Sequence, residues 1–151
     1  MTRQFRIGFL SAVASVIASI APLTASAVEV TNLAGLEDIF GRYAPGGDCK
    51  RQPQILVEFS GLTFEIPGAT EKVTNPEYAV SYGAHDYDGI SKWIFPFRLA
   101  DGYPILMTFN ANEQPGALLI EPHDEGWAGG PPLGPRNKAL VAGSPYARCP
   151  R

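Results

Sequence analysis

Runs of Lys or Arg are missing from this 151-residue chain, and it holds only two cysteines and two histidines. Without a basic patch, nucleic acid and anionic membrane surfaces are poor partners. The absence of any Cys-x-x-Cys argues against thiol redox chemistry. No Gly-x-Ser-x-Gly elbow singles out Ser60, Ser81, Ser91 or Ser144 as a nucleophile. Carboxylate pairs for glycoside cleavage can be drawn from the acidic turns, as they can in any acidic protein. With no signature set of catalytic residues, the chain reads as non-enzymatic, and no cofactor is expected. No internal repeat is visible.

Long apolar runs are also scarce. The one present, residues 7–21, follows Arg3 and Arg6 and precedes Ala25-Ser26-Ala27. A basic start, a short apolar stretch and small residues at −3 and −1 make a secretory signal, cleaved after Ala27. The run is too short to span a bilayer comfortably, so a retained anchor is the weaker reading. No cysteine follows it to take a lipid, and the arginines are not adjacent as a twin-Arg signal requires. The expectation is one mature domain, residues 28–151, in the periplasm or secreted. It carries ten basic against fifteen acidic residues, a net charge of −5 with both histidines neutral. Such a surface favours basic partners, although it is also ordinary solubility charge.

Cys49 and Cys149 are both in the mature part. In an oxidising compartment an isolated pair is most simply a disulfide, here tying the C-terminal tail to the start of the sheet region.

The hydrophobic pattern changes period along the chain. Residues 31–43 read as one short N-terminal helix, with Leu33, Leu36, Phe40 and Tyr43 at helical spacing behind a Thr31 or Asn32 cap. From Ile55 the period is two. Ile55, Val57 and Phe59 alternate, then residues 62–66, as a hairpin or a bulged strand that Pro67-Gly68 stops. Further strands are expected at residues 78–82, 90–97, 103–110 and 117–121. Trp93, Phe95 and Phe97 are expected on one face, and Pro96 marks an edge or bulge. About six strands joined by Gly, Pro and Asp turns predict a mainly β fold, a small antiparallel barrel or curled meander sheet. The helix would plug one open face or end. Phe59, Phe64, Tyr78, Tyr82, Trp93, Phe95, Phe97, Tyr103 and Phe109 read mostly as core.

Residues 122–137 break the pattern. Their glycines and prolines disfavour any regular element, and long loops of this kind are often functional. Residues 139–142 are expected to rejoin the sheet. Trp127 lies among glycines, either folded over the barrel mouth as a lid or exposed as an anchor for a partner. Glu121, Asp124 and Glu125 would form an acidic rim around it, with His123 as a further binding candidate. His85, Asp86, Asp88 and His123 could assemble a metal site if their turns met, but hydrophilic turn residues are the simpler reading.

By size, export signal, acidic charge and expected barrel, the chain is similar in kind to the small periplasmic inhibitors of lysozyme. The likeness lies in general properties and carries no residue across. It implies a loop inserted into the cleft of a basic enzyme. The resulting expectation is an exported binding or inhibitor-type module using Trp127, Glu121, His123, Asp124 and Glu125. The alternatives are a small-ligand carrier with a cavity in the barrel and a metal-dependent hydrolase using His85 and His123. Pro96 at a sheet edge would favour a monomer.

Overall fold

The computed structural model describes residues 27–79, 87–99, 102–123 and 132–150. The expected signal segment up to Ser26, Tyr82, His85 and Asp86, and Asp124, Glu125 and Trp127 therefore lie outside the described residues. The described chain forms ten strands. They are β1 (Val28–Glu29), β2 (Gly41–Pro45), β3 (Gln54–Glu58), β4 (Gly61–Ile66) and β5 (Ala69–Val73). Then come β6 (Glu77–Tyr78), β7 (Lys92–Phe95), β8 (Ile105–Phe109), β9 (Ala117–Pro122) and β10 (Tyr146–Arg148). One α-helix, α1 (Pro135–Gly143), precedes β10. All pairings are antiparallel, in the order β1-β6-β7-β8-β9-β10-β2-β3-β4-β5, and the sheet curls into a half-barrel.

The mainly β reading holds, with ten strands instead of about six. The β3–β4 hairpin follows the period-two pattern: Ile55, Val57, Leu62 and Phe64 are buried. Pro67-Gly68 ends β4 after Ile66, as expected, but not the sheet. It turns the chain into β5, with Ile66 opposite Ala69 and Gly68 at φ +83°, the conformation a Pro-Gly turn needs at its second corner. β5 escapes the sequence pattern because its central residues, Thr70, Glu71 and Lys72, are polar and the strand is mostly exposed.

The expected helix over residues 31–43 is not formed. A single 3₁₀ turn, Glu37–Ile39, is followed directly by β2. Leu33, Leu36, Ile39 and Tyr43 are nevertheless all buried. A three-residue spacing suits turns and 3₁₀ geometry as well as an α-helix. Gly41, at φ +140°, then swings the chain into a strand held between β3 and β10.

The helix that does form lies at the other end of the chain, where residues 122–137 were expected to be irregular and 139–142 to rejoin the sheet. β9 runs to Pro122 and α1 begins at Pro135. Proline at the first helical position gives up an amide that has no partner there anyway, so it starts a helix instead of breaking one. Leu140 of α1 enters the main core, and Arg136 Nη1 reaches both carboxylate oxygens of Glu71 on β5 at 2.7 Å.

Three further expectations are corrected. Phe59 lies past the end of β3, in the turn, and is 55% exposed. Phe97 joins the main core beside Phe64, whereas Phe95 and Trp93 belong to a separate cluster. β7 ends at Phe95, so the alternation does not carry through Pro96. Nor is Pro96 at a sheet edge, since β7 lies between β6 and β8. The edges among the described strands are the two-residue β1 and the charged β5, both poor templates for strand addition.

Two buried phenols lock the core to the backbone. Tyr43 donates to the Ile39 carbonyl at 2.8 Å, and Tyr146 to the Leu140 carbonyl at 2.6 Å. Burial pushes the Tyr43 phenol from 10.0 up to about 12, and pushes Tyr146 up as well. A raised folded-state pKa means that the neutral phenols stabilise the fold fully below pH 10, and that this contribution is lost as pH rises through the folded values. Stability measured by urea denaturation should therefore fall above about pH 10. Tyr43→Phe combined with Tyr146→Phe should make that fall shallower, and an unchanged alkaline limb would contradict the assignment.

Candidate binding site

Antiparallel pairing brings one row of side chains together on the face of the sheet away from the main core. Glu77 on β6 is opposite Phe95 on β7, and Leu106 on β8 is opposite Glu121 on β9. Strand alternation sends their neighbours Ile94, Ile105 and Ile120 into the main core. Ala79, Phe95 and Leu106 form a second apolar cluster on this outer face, with Trp93 and Tyr103 packed against it.

His123 follows β9 directly, its amide donating to the Pro104 carbonyl at 3.2 Å. Its ring meets Phe95 edge-on at 4.8 Å, and the Tyr103 ring at 6.4 Å. Tyr103 stacks on Phe95 at 4.3 Å and donates its hydroxyl to Glu77 Oε2 in a short hydrogen bond. Glu77 is the charged member of the cluster. Its side chain is only 8% exposed, and Arg98 Nη1 lies 3.3 Å from its other oxygen. A carboxylate buried to this degree is tolerable only when its oxygens are met by donors, and here both are. The result is an aromatic platform with a pinned acid, at the end of the described segment that closes with His123.

Of the residues expected from sequence, Glu121 and His123 lie at this platform, Glu121 exposed and His123 half-buried. Asp124, Glu125 and Trp127 lie outside the described residues. Cys49 and Cys149 form the expected disulfide, with Cα atoms 5.9 Å apart, consistent with an oxidising compartment.

The metal candidates divide differently. His85 and Asp86 are outside the described residues. Asp88 precedes β7 next to Tyr87, whose hydroxyl donates to Glu113 beyond the end of β8. His123 sits at the opposite end of those strands, on Phe95, so the sheet keeps Asp88 and His123 apart. Among the described residues no group of three or more His, Cys, Asp or Glu side chains could hold a metal ion. Glu113 instead works as a structural acceptor. The Tyr87 hydroxyl, the Ile90 amide at 2.7 Å and the Ser91 hydroxyl at 2.9 Å hold its carboxyl below the usual range.

Sequence reasoning missed Glu77, Arg98 and the polar role of Tyr103. The available signal was weak: an acid at the start of an apolar strand segment, 26 residues from the tyrosine that meets it. Against known protein families, curated proteins and solved structures, the chain finds no match.

Proposed function

We propose that this protein is an exported, non-enzymatic binding module that recognises a basic protein through the segment leaving His123. Trp127 would be its anchor, and Glu121, Asp124 and Glu125 its acidic rim. The observation that supports this reading is the platform beneath the segment. A recognition loop gains affinity when its base is held rigidly, and the Glu77–Tyr103–Phe95 stack holds the position from which this one leaves. The net charge of −5 after removal of residues 1–27 supplies the long-range attraction for a cationic partner. The disulfide favours periplasm or exterior as the working compartment, with cleavage after Ala27. The module acts as a monomer, because β1 and β5 offer little edge to pair with.

The ligand-carrier alternative needs space on the concave side of the half-barrel. That side is filled by Tyr43, Phe64, Met107, Phe109, Leu140 and Tyr146, none more than 2% exposed. This favours the protein-binding reading.

Lysozyme, a strongly basic enzyme with an open cleft, is the probe. Calorimetric titration of the purified, disulfide-intact protein into lysozyme should show binding that weakens as salt rises. Trp127→Ala should weaken it by roughly tenfold or more, the loss expected of an anchor aromatic, without moving the Tm. Equal loss of folding would mark Trp127 as core. No binding by the unaltered protein would reject a lysozyme-type partner.

A further inference from the structure

An open groove of about 540 Å³ lies beside the β3–β4 hairpin, lined by Phe40, Leu56, Val57, Glu58, Phe59 and Ser60. Phe59 is 55% exposed, in a chain that otherwise buries most of its large aromatics among the described residues. Glu58 is exposed and takes part in none of the ion pairs among the described residues. The cations nearby are already engaged. Arg42, opposite Leu56, has its Nη1 2.6 Å from Glu65 and 2.8 Å from Gln54. Arg148 donates to the Asp38 carbonyl at 2.7 Å and, more weakly, to that of Phe40 at 3.4 Å. Lys72 is two strands from Leu56, opposite Thr63.

The same protein shows what an aromatic ring and a carboxylate do together when a cation is supplied. Arg136 lies 3.4 Å over the Phe97 ring while its Nη1 meets both oxygens of Glu71 at 2.7 Å. The ring takes the flat face of the guanidinium, and the carboxylate takes its N–H donors. The lining of the groove includes the same two kinds of group, the Phe59 ring and the Glu58 carboxylate.

We propose that this groove docks an arginine side chain carried on an extended segment of a partner protein. The guanidinium stacks on Phe59 and pairs with Glu58, while apolar neighbours in the same segment rest on Leu56 and Phe40. A lysine fits less well, because an ammonium has no planar face to stack and no fork to match a carboxylate. A free amino acid would leave most of the groove empty. The site lies on the β2–β3–β4 side of the sheet, apart from His123 on β9, so it stands or falls separately from the lysozyme reading.

The test is a nuclear magnetic resonance titration of the isotope-labelled, disulfide-intact protein with acetyl-Gly-Leu-Arg-Leu-Gly-amide. Saturable shifts are expected at the amides of Glu58, Phe59 and Ser60. The peptide with lysine in place of arginine should bind about threefold more weakly, and the citrulline peptide about tenfold more weakly. Glu58→Gln and Phe59→Ala should each weaken the arginine peptide by about fivefold or more, with the rest of the spectrum unchanged. Equal binding of the citrulline peptide would reduce the site to an apolar groove and overturn the proposal. So would shifts confined to another face. Sedimentation of the protein as a dimer that Phe59→Ala dissolves would overturn it too, by making a second copy the occupant.

Discussion

Cys49→Ser together with Cys149→Ser should lower the unfolding free energy by up to about 4–5 kcal/mol, the chain-entropy value for closing a loop of this length. The bridge joins positions 100 residues apart. Its place in the sheet makes the loss more than entropic. Among the described strands, β10 alone connects β9 to β2, and so joins the β1-β6-β7-β8-β9 half of the sheet to the β2-β3-β4-β5 half. β10 is three residues long, and Cys149 follows it directly, its amide donating to the Arg42 carbonyl at 2.7 Å. A strand only three residues long is held by few ladder bonds and opens readily unless tied down. Urea denaturation of the double variant measures the free energy, and hydrogen exchange at the Ala147 amide reports whether β10 detaches first. A loss below about 1 kcal/mol with β10 still protected would show that pairing alone holds the seam.

Asn110→Ala should cost roughly 3 kcal/mol, from two separable sources. Asn110 is 3% exposed and joins three parts of the chain. Its Nδ2 donates to Asp38 Oδ2 at 2.9 Å and to the Ile90 carbonyl at 3.2 Å, and its Oδ1 accepts the Gly116 amide at 2.9 Å. Alanine removes all three bonds and leaves the buried Gly116 amide unmet, a loss of about 1–3 kcal/mol. Asn110 also sits at φ +50°, where asparagine is tolerated and alanine pays about 1 kcal/mol more. Asn110→Gly should therefore recover about 1 kcal/mol of the loss and no more. Chemical denaturation of both variants checks this. An alanine variant within about 1 kcal/mol of the parent would contradict the hydrogen-bond account. Equal alanine and glycine variants would contradict the backbone part.

The strands at residues 55–58 and 62–66 were legible because each buries one face, so alternation is written into consecutive residues. Those at 105–109 and 117–121 were legible as short apolar runs bounded by turn residues. Leu33, Leu36, Ile39 and Tyr43 were legible as core but not as conformation. Their spacing says which side chains turn inward, while β3 and β10 on either side made the last of them part of a strand. α1 was hidden by a composition that buries only Asn137 and Leu140 along its length, too thin a stripe to register as a period. Phe59 was misread because alternation cannot say where a strand stops, and the turn began at that residue. For the candidate site, Glu121 and His123 could be singled out by type. Glu77 and Tyr103 could not, because nothing local marks a carboxylate and a phenol that only strand pairing brings together.

The amino-acid order alone determined the sulfur pairing, the acidic balance and the period-two stretches, since each depends on residue identity or on immediate neighbours. Folding in three dimensions decided that β10 closes the seam between the two halves of the sheet, that a helix forms after Pro135, and that His123 rests on Phe95 above a buried acid. Those outcomes turn on which distant segments bury the most apolar surface against each other while leaving no polar group unmet. That competition is settled among all strands at once, not within any one of them.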